Sequence, residues 1–349
     1  MAKRPSHSGE RDFVRRVLIA LALTSLFLLA WHLRSLLLML FGAVLVATVF
    51  RSLGDGIAKL TGIRDGISVA LSIILILGAI GMLIAVFGSA VAGQVQVLRE
   101  ALPAAWSSFE ARLADMGLGE QLRQLRESIR SQSGPSAFGR FILSLGSGLT
   151  DVLVVLVAGI FLAAQPGFYF AGAIKLVPAG KRPLVGEAMD ESERALRLWL
   201  KGQLIAMVVV GLLVGLGLWA LGMPSALALG LLAGVLEFIP FAGPVIAAVP
   251  AILLALAVSP DMALWVLLLY FAVQQFEGYL LTPLVQQYAV DLPGVLLLFS
   301  LLAFGTLFGT LGLVLAAPLT VVAYVLVKRL YVIEALHTAT PIPGEKGSP

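Results

Sequence analysis

Two glutamates lie within apolar stretches of the chain, where an ionisable side chain is unusual. Glu237 is part of LAGVLEFIPFAGPVIAAVP, and Glu277 follows two glutamines in VQQFEGYLLTP. A carboxyl group at membrane depth is costly unless it faces protein or water, so each glutamate is a candidate proton or cation site. The alternative is a structural role, in which a protonated carboxyl only joins two helices by a hydrogen bond.

Neutral polar side chains accompany the two acids and could contact a polar substrate, although such groups also form ordinary bonds between membrane helices. The predicted substrate- or ion-binding residues are Glu237, Glu277, Gln274, Gln275, Gln203 and Thr282. Residues 202–327 contain no Lys or Arg but four acids, an arrangement whose field repels anions. The other two acids, Asp261 and Asp291, lie near prolines at expected helix ends, which favours loop or N-cap roles.

Helix-breaking residues are concentrated in the same half of the chain. Proline removes an amide donor and glycine permits a turn, so neither residues 237–244 nor residues 304–312 favour a continuous helix. The predicted hinge or gate residues are Pro240, Gly243, Pro244, Gly305, Gly309, Gly312 and Pro318. Paired broken segments in the two halves of a carrier point to its binding site.

The elements that must position these residues are membrane helices. The chain of 349 residues is 59% hydrophobic and only 13% charged, and its mean hydropathy is +1.00. Apolar runs occupy residues 17–33, 36–50, 67–92, 141–164, 204–221, 226–257, 262–281 and 295–327. The sequence therefore predicts an all-α polytopic membrane protein of about eight membrane helices.

Four of these runs carry further expectations. The first two runs are short, which predicts a tight hairpin around Arg34. The runs at 226–257 and 295–327 are too long for one crossing, which predicts broken or re-entrant hairpins; two tilted, kinked helices are the alternative.

Two polar segments have helical periodicity. Residues 94–140 predict a small amphipathic helical insertion outside the cytoplasm, either a cap on its own span or a contact between subunits. Residues 183–201 predict a second amphipathic helix along the inner membrane surface. The expected order is a cytoplasmic N-terminal tail (1–16), three spans (17–93), the insertion (94–140), a fourth span (141–164), a cytoplasmic connector (165–201), a transport core (202–327) and a cytoplasmic C-terminal tail (328–349).

Charge distribution orients the chain and excludes other classes of protein. A cytoplasmic N-terminus places most of the 24 Lys and Arg residues inside, and the C-terminus is then cytoplasmic too. The bases flank apolar runs and form no continuous face, so no nucleic-acid partner is expected. With no Cys, three scattered His residues and no nucleophile or nucleotide-binding motif, we expect no metal site, no cofactor and no enzymatic activity.

Several motifs together resemble the AI-2E transporter family. They are Gly202-Gln203, the turn Gly222-x-Pro224, Gly230 and Gly234, Ile239-Pro240-x-x-Gly243-Pro244, EGYLLTPLV at 277–285 and FGTLGLVLAAPL at 308–319. The resemblance implies a homo-oligomeric permease of the bacterial cytoplasmic (inner) membrane.

The function that the resemblance implies is efflux of a small polar solute, such as the quorum-sensing molecule autoinducer-2. Glu237 and Glu277 further predict that this transport is coupled to a proton or cation gradient. Other members resemble Na⁺(Li⁺)/H⁺ antiporters, which is the alternative within transport. A membrane scaffold or regulator that uses the 94–140 insertion is the alternative from another class.

Overall fold

A computed structural model describes residues 8–82, 149–281 and 292–338, together with the single residues 85, 107, 111 and 340. The described part is helical, and the connections between its helices are short. The helices are α1 (Ser8–His32), α2 (Arg34–Thr61), α3 (Asp65–Met82), α4 (Leu149–Ala164), α5 (Pro166–Lys175), α6 (Arg182–Ala220), α7 (Ala226–Leu236), α8 (Ala242–Val258), α9 (Pro260–Phe276) and α10 (Gly294–Leu326). The π-helical turns Glu277–Leu281 and Val327–Ile333 extend α9 and α10.

Five stretches of the described chain are long and apolar enough to cross a membrane. They are Arg34–Thr61, Asp65–Met82, Ala179–Ala220, Pro260–Leu281 and Gly294–Ile333, and the bent pair α4 and α5 would make six. The prediction of an all-α polytopic membrane protein is confirmed. The described residues hold fewer candidate spans than the eight predicted, and the insertion at 94–140 lies almost wholly outside them.

The predicted hairpin around Arg34 is wrong. Only Leu33 separates α1 from α2, and hydrogen bonds from Leu33 N–H to Leu29 O (2.9 Å) and from Leu37 N–H to Leu33 O (3.0 Å) bridge the junction. A helical hairpin needs a loop of several residues to reverse the chain, and this junction keeps helical bonding instead. The described side chains of α1 are exposed, so α1 is not packed back on α2.

Helices α2, α3 and α4 pack closely at one end. Gly159 of α4 faces α2, where an added Cβ would lie 2.7 Å from the side chain of Val46. The Ser72 hydroxyl of α3 donates to the carbonyl oxygen of Phe50 at 2.7 Å, and the Arg51 guanidinium donates to that of Ala163 at 3.0 Å. Polar groups of α2 and α3 are therefore satisfied at the contacts between the three helices.

Helix α6 is one uninterrupted helix of 39 residues, so the boundary predicted at residue 201 falls inside it. Its charged first half makes ion pairs with other elements: Arg197 binds Asp55 of α2, and Glu187 binds Arg329 of the turn after α10. Its apolar second half packs against α7 and α9. How the charged half lies relative to the membrane surface stays a prediction.

Glycines bring α6 and α7 into backbone contact. Gly211 and Gly215 of α6 face Gly230 and Gly234 of α7, and an added Cβ on Gly230 would lie 2.5 Å from the Cα of Gly215. Small residues four apart allow two membrane helices to approach this closely. The close crossing fixes the end of α7, where Glu237 follows, against α6.

Candidate functional site

The first long C-terminal segment is interrupted immediately after α7. Helix α7 ends at Leu236, and α8 begins at Ala242 after a turn in which Phe241 has φ 62°. Gly243 packs so tightly on this turn that an added Cβ would lie 1.9 Å from the carbonyl oxygen of Leu236. The two prolines fit this arrangement, because Pro240 lies in the turn and Pro244 lies in the first turn of α8, where a missing amide costs nothing.

The second long segment departs from helical geometry at Gly309, where φ is 68° and ψ is −148°. Three residues later the chain is again crowded, since an added Cβ on Gly312 would lie 2.2 Å from the carbonyl oxygen of Phe304. Gly305 has only ordinary contacts with Leu313. Pro318 is buried within the second part of α10.

The turn after α7 packs against the second broken segment. Ile239 is buried in one cluster with Leu301 and Ala316, which lie on either side of Gly309. The neighbouring Phe238 meets Trp199 of α6 edge to face, with ring centroids 5.7 Å apart. The tertiary structure thus brings the two interruptions together, although 69 residues separate Gly243 from Gly312.

Glu237 and Glu277 are neighbours in this region. Glu237 follows the last residue of α7 and is 2% exposed, while Glu277 begins the π-helical turn after α9 and is half-buried. Their carboxyl groups are close enough for one to hydrogen-bond to the other. The Oε2 atom of Glu237 has no hydrogen-bond partner within the described part of the chain.

Amide side chains hold both glutamates. The Gln203 side chain of α6 donates to the backbone carbonyl of Glu237 at 2.6 Å, and the Gln274 side chain donates to the Glu277 carboxylate. The structure therefore gathers four of the six predicted binding residues. Gln275 is exposed and has no hydrogen bond among the described residues, and Thr282 lies outside them.

The electrostatic setting of the pair is acidic. Among the described residues, neither glutamate forms a salt bridge, and no group of three or more potential metal ligands occurs. Two carboxyl groups this close resist ionising together, so one shared proton or one small cation suits them better than two negative charges. Asp261 is separate from the pair, in the first turn of α9, which the Ser259 hydroxyl caps.

A cavity of about 500 Å³ lies apart from the acid pair, between α2, α3 and α6. Its walls are mostly apolar, and its two cationic side chains are Arg197 and Lys201. Neither glutamate lines it.

Sequence reasoning missed several residues that position the site. The Gly-x-x-x-Gly spacing of α6 and α7 was a readable signal for their close crossing. The role of Trp199 and Ile239 had no such signal, since an apolar residue in an apolar segment has no distinguishing local pattern.

Comparison with known proteins gives a family-level match over most of the chain. A family model described as AI-2E family transporter matches residues 17–331. The protein YueF of Bacillus subtilis is 25% identical over 311 residues, which are 84% of this chain and 83% of YueF. The AI-2 transport protein TqsA of Escherichia coli is 25% identical over 275 residues, 75% of this chain and 77% of TqsA. A shorter match joins the chain to YrrI of B. subtilis, 34% identical over 151 residues, and it spans less than half of each protein, 43%.

Proposed function

The chain belongs to the AI-2E transporter family, and from this premise we propose that it is a secondary transporter that exports a small polar solute. Autoinducer-2 is the first candidate, because TqsA is named for AI-2 transport. We place the protein in the bacterial inner membrane as a homo-oligomer with both termini in the cytoplasm. Transport is coupled in this proposal to a proton or cation gradient, and the solute binds where the two broken segments meet.

The observation that carries the proposal is the pairing of Glu237 with Glu277. Each comes from a different helical segment, and Gln203 contributes from a third. A carboxyl pair with one buried and one half-buried member, close to two interrupted helices, offers a site for a proton or cation, together with backbone that can bend around a solute. Gln203 and Gln274 supply neutral hydrogen-bonding groups next to it.

Helix length supports a re-entrant geometry for the first broken segment. Helix α7 has 11 residues and α8 has 17, which correspond to roughly 17 Å and 26 Å at ~1.5 Å per residue. A bilayer core of about 30 Å exceeds both. We therefore assign α7 and α8 as the two arms of a hairpin that enters and leaves by one face, with Pro240 and Gly243 at its tip.

Solute flux in proteoliposomes tests the site. Glu237→Gln and Glu277→Gln keep the shape of each side chain and remove its charge, so each should lower flux at least ~10-fold. Asp261→Asn is the matched control, because it removes an acid from the same half of the chain outside the pair, and its flux should match the unmodified protein. The panel of solutes includes autoinducer-2, Na⁺ and Li⁺. Undiminished flux in both glutamate variants would refute the site assignment.

Na⁺(Li⁺)/H⁺ antiport is the second candidate. It is favoured because, among the described residues, neither Glu237 nor Glu277 forms a salt bridge with a basic side chain. An imposed pH gradient should then drive Na⁺ or Li⁺ uptake into proteoliposomes, and adding either cation outside should release internal protons. Choline in place of the alkali cation is the control. Absence of any cation-dependent proton movement removes this candidate and leaves the solute exporter.

A further inference from the structure

Helix α5 leaves the direction of α4 abruptly. The two helices meet at an angle of 91°, with only Gln165 between them and Pro166 in the first turn of α5. The junction lies beside Arg51, whose guanidinium donates to the carbonyl of Ala163. The bend therefore occurs where α2 changes from apolar sequence to charged sequence, which is where a membrane boundary is expected.

The apolar sequence before the bend is long enough for a span without α5. The apolar run that ends at Ala164 begins at residue 141, so it exceeds the ~20 residues that a span requires. If α4 crosses the bilayer, a helix bent from it by 91° runs nearly parallel to the membrane plane.

The sides of α5 differ in what they contact. Phe170 and Ile174 are half-buried on the side that faces α6, where Ile174 reaches Gly186. On the other side Phe168 is 71% exposed, and Leu176, just after the helix, is 88% exposed. An aromatic residue and a leucine uncovered at a membrane boundary match the apolar side of an interfacial helix.

The charge of this region has one sign. Residues 165–186 contain Lys175, Lys181 and Arg182 and no acid. Arg182 caps the C-terminal end of α5 by donating to the carbonyls of Lys175 and Val177. The ammonium groups of Lys175 and Lys181 are exposed and have no ion-pair partner among the described residues. Of the acids that follow, Glu187 and Glu191 face Arg329, Glu193 pairs with Arg197, and Asp190 is exposed.

We infer that residues 166–182, the elbow, lie in the headgroup region of the inner leaflet and bind anionic phospholipid. Phe168 and Leu176 insert toward the acyl chains, and Lys175 and Lys181 contact phosphate groups. The distribution of Lys and Arg predicts that this side is cytoplasmic, where anionic lipid is the complementary partner. The elbow would thereby hold the junction between α4 and α6 at a fixed depth, whatever solute is carried.

Spin labelling of the full-length protein tests the depth. The chain has no Cys, so a single introduced cysteine is the only labelling site. A nitroxide at Phe168→Cys in liposomes should lie just below the lipid phosphates. Its depth is obtained from the ratio of its collision rates with oxygen and with a water-soluble nickel reagent, calibrated with spin-labelled lipids. Val157→Cys in α4 is the control for the hydrocarbon core. A label at 168 that meets mainly the aqueous reagent, or that is shielded from both reagents by protein, overturns the inference.

Charge removal tests the lipid partner. Replacing phosphatidylcholine by phosphatidylglycerol should raise the unfolding temperature of the protein, and Lys175→Gln/Lys181→Gln should lose at least half of that rise. Lys59→Gln/Arg64→Gln is the matched control, because it removes two charges at the turn between α2 and α3, and it should keep most of the rise. Equal losses in both double variants, or no effect of phosphatidylglycerol on the unmodified protein, overturn the inference. All four side chains are at the surface, so the variants should fold alike in phosphatidylcholine.

Discussion

Replacing Gly230 by alanine should separate α6 from α7. An alanine Cβ would lie 2.5 Å from Gly215 Cα, 2.8 Å from Gly215 N and 3.0 Å from Gly211 O. Non-bonded carbon atoms prefer about 3.5–4.0 Å, so the helices must move apart by about 1 Å. All three crowded atoms are backbone, so no side-chain rotation can relieve the contact.

The energetic cost has two parts. Overpacking at such a contact typically costs about 1–3 kcal/mol. The displacement also reaches Glu237, two helical turns along α7, whose carbonyl accepts from Gln203 at 2.6 Å. Loss of that hydrogen bond adds about 1 kcal/mol. We therefore expect Gly230→Ala to lower the free energy of unfolding by ~2–4 kcal/mol.

Unfolding in detergent and flux in proteoliposomes measure the two consequences, and both should fall. Gly78→Ala in α3 is the matched control, because nothing lies within 4 Å of its added Cβ. That variant should keep its stability or gain up to ~1 kcal/mol, since alanine favours helix over glycine. Unchanged stability and flux in Gly230→Ala would contradict the backbone contact between α6 and α7.

Two further predictions concern the second broken segment and the charged end of the molecule. Gly309→Ala should cost about 1–3 kcal/mol and reduce flux, because φ 68° with ψ −148° is a backbone conformation that essentially only glycine adopts. Gly305→Ala, which meets only ordinary contacts, should retain flux. Arg329→Gln should lower stability by ~1–2 kcal/mol at low salt, because it removes the cation that faces both the largely exposed Glu187 and the more buried Glu191. Thermal unfolding at low and at 1 M NaCl checks this, and a loss that persists undiminished in high salt would show that the ion pair is not its cause.

Much of the fold was predictable because the bilayer imposes a simple rule. Apolar runs of sufficient length indicated the spans, and the helix-breaking residues at 240–244 and 305–312 pointed to the segments that the structure interrupts. The hairpin around Arg34 was wrong because hydropathy shows where polarity interrupts a run but not whether the chain turns there. Likewise, the change from charged to apolar sequence at residue 201 did not interrupt α6. The backbone hydrogen bonds of a helix form in the same way whether the side chains are charged or apolar.

The residues of the candidate site could be predicted from the sequence, but their contacts could not. Glu237, Glu277, Gln203 and Gln274 were identifiable individually, because a polar group in apolar sequence is conspicuous against the cost of burying it. Gln275 is the same residue type as Gln274 and lies next to it in the sequence. Only Gln274 donates a hydrogen bond to Glu277, because consecutive side chains of a helix point in different directions. The sequence offered no means of choosing between them.

Residue type and spacing alone determined that this chain is an all-helical membrane protein with acidic residues inside apolar segments, where burying a charge is costly. Only the tertiary structure decided that two of those acids, 40 residues apart, meet. The physical reason is that hydrophobicity is a property of single residues and short windows. The pairing depends instead on how α7 and α9 both pack against α6, and the approach of α7 to α6 is set by four glycines that face one another across the two helices.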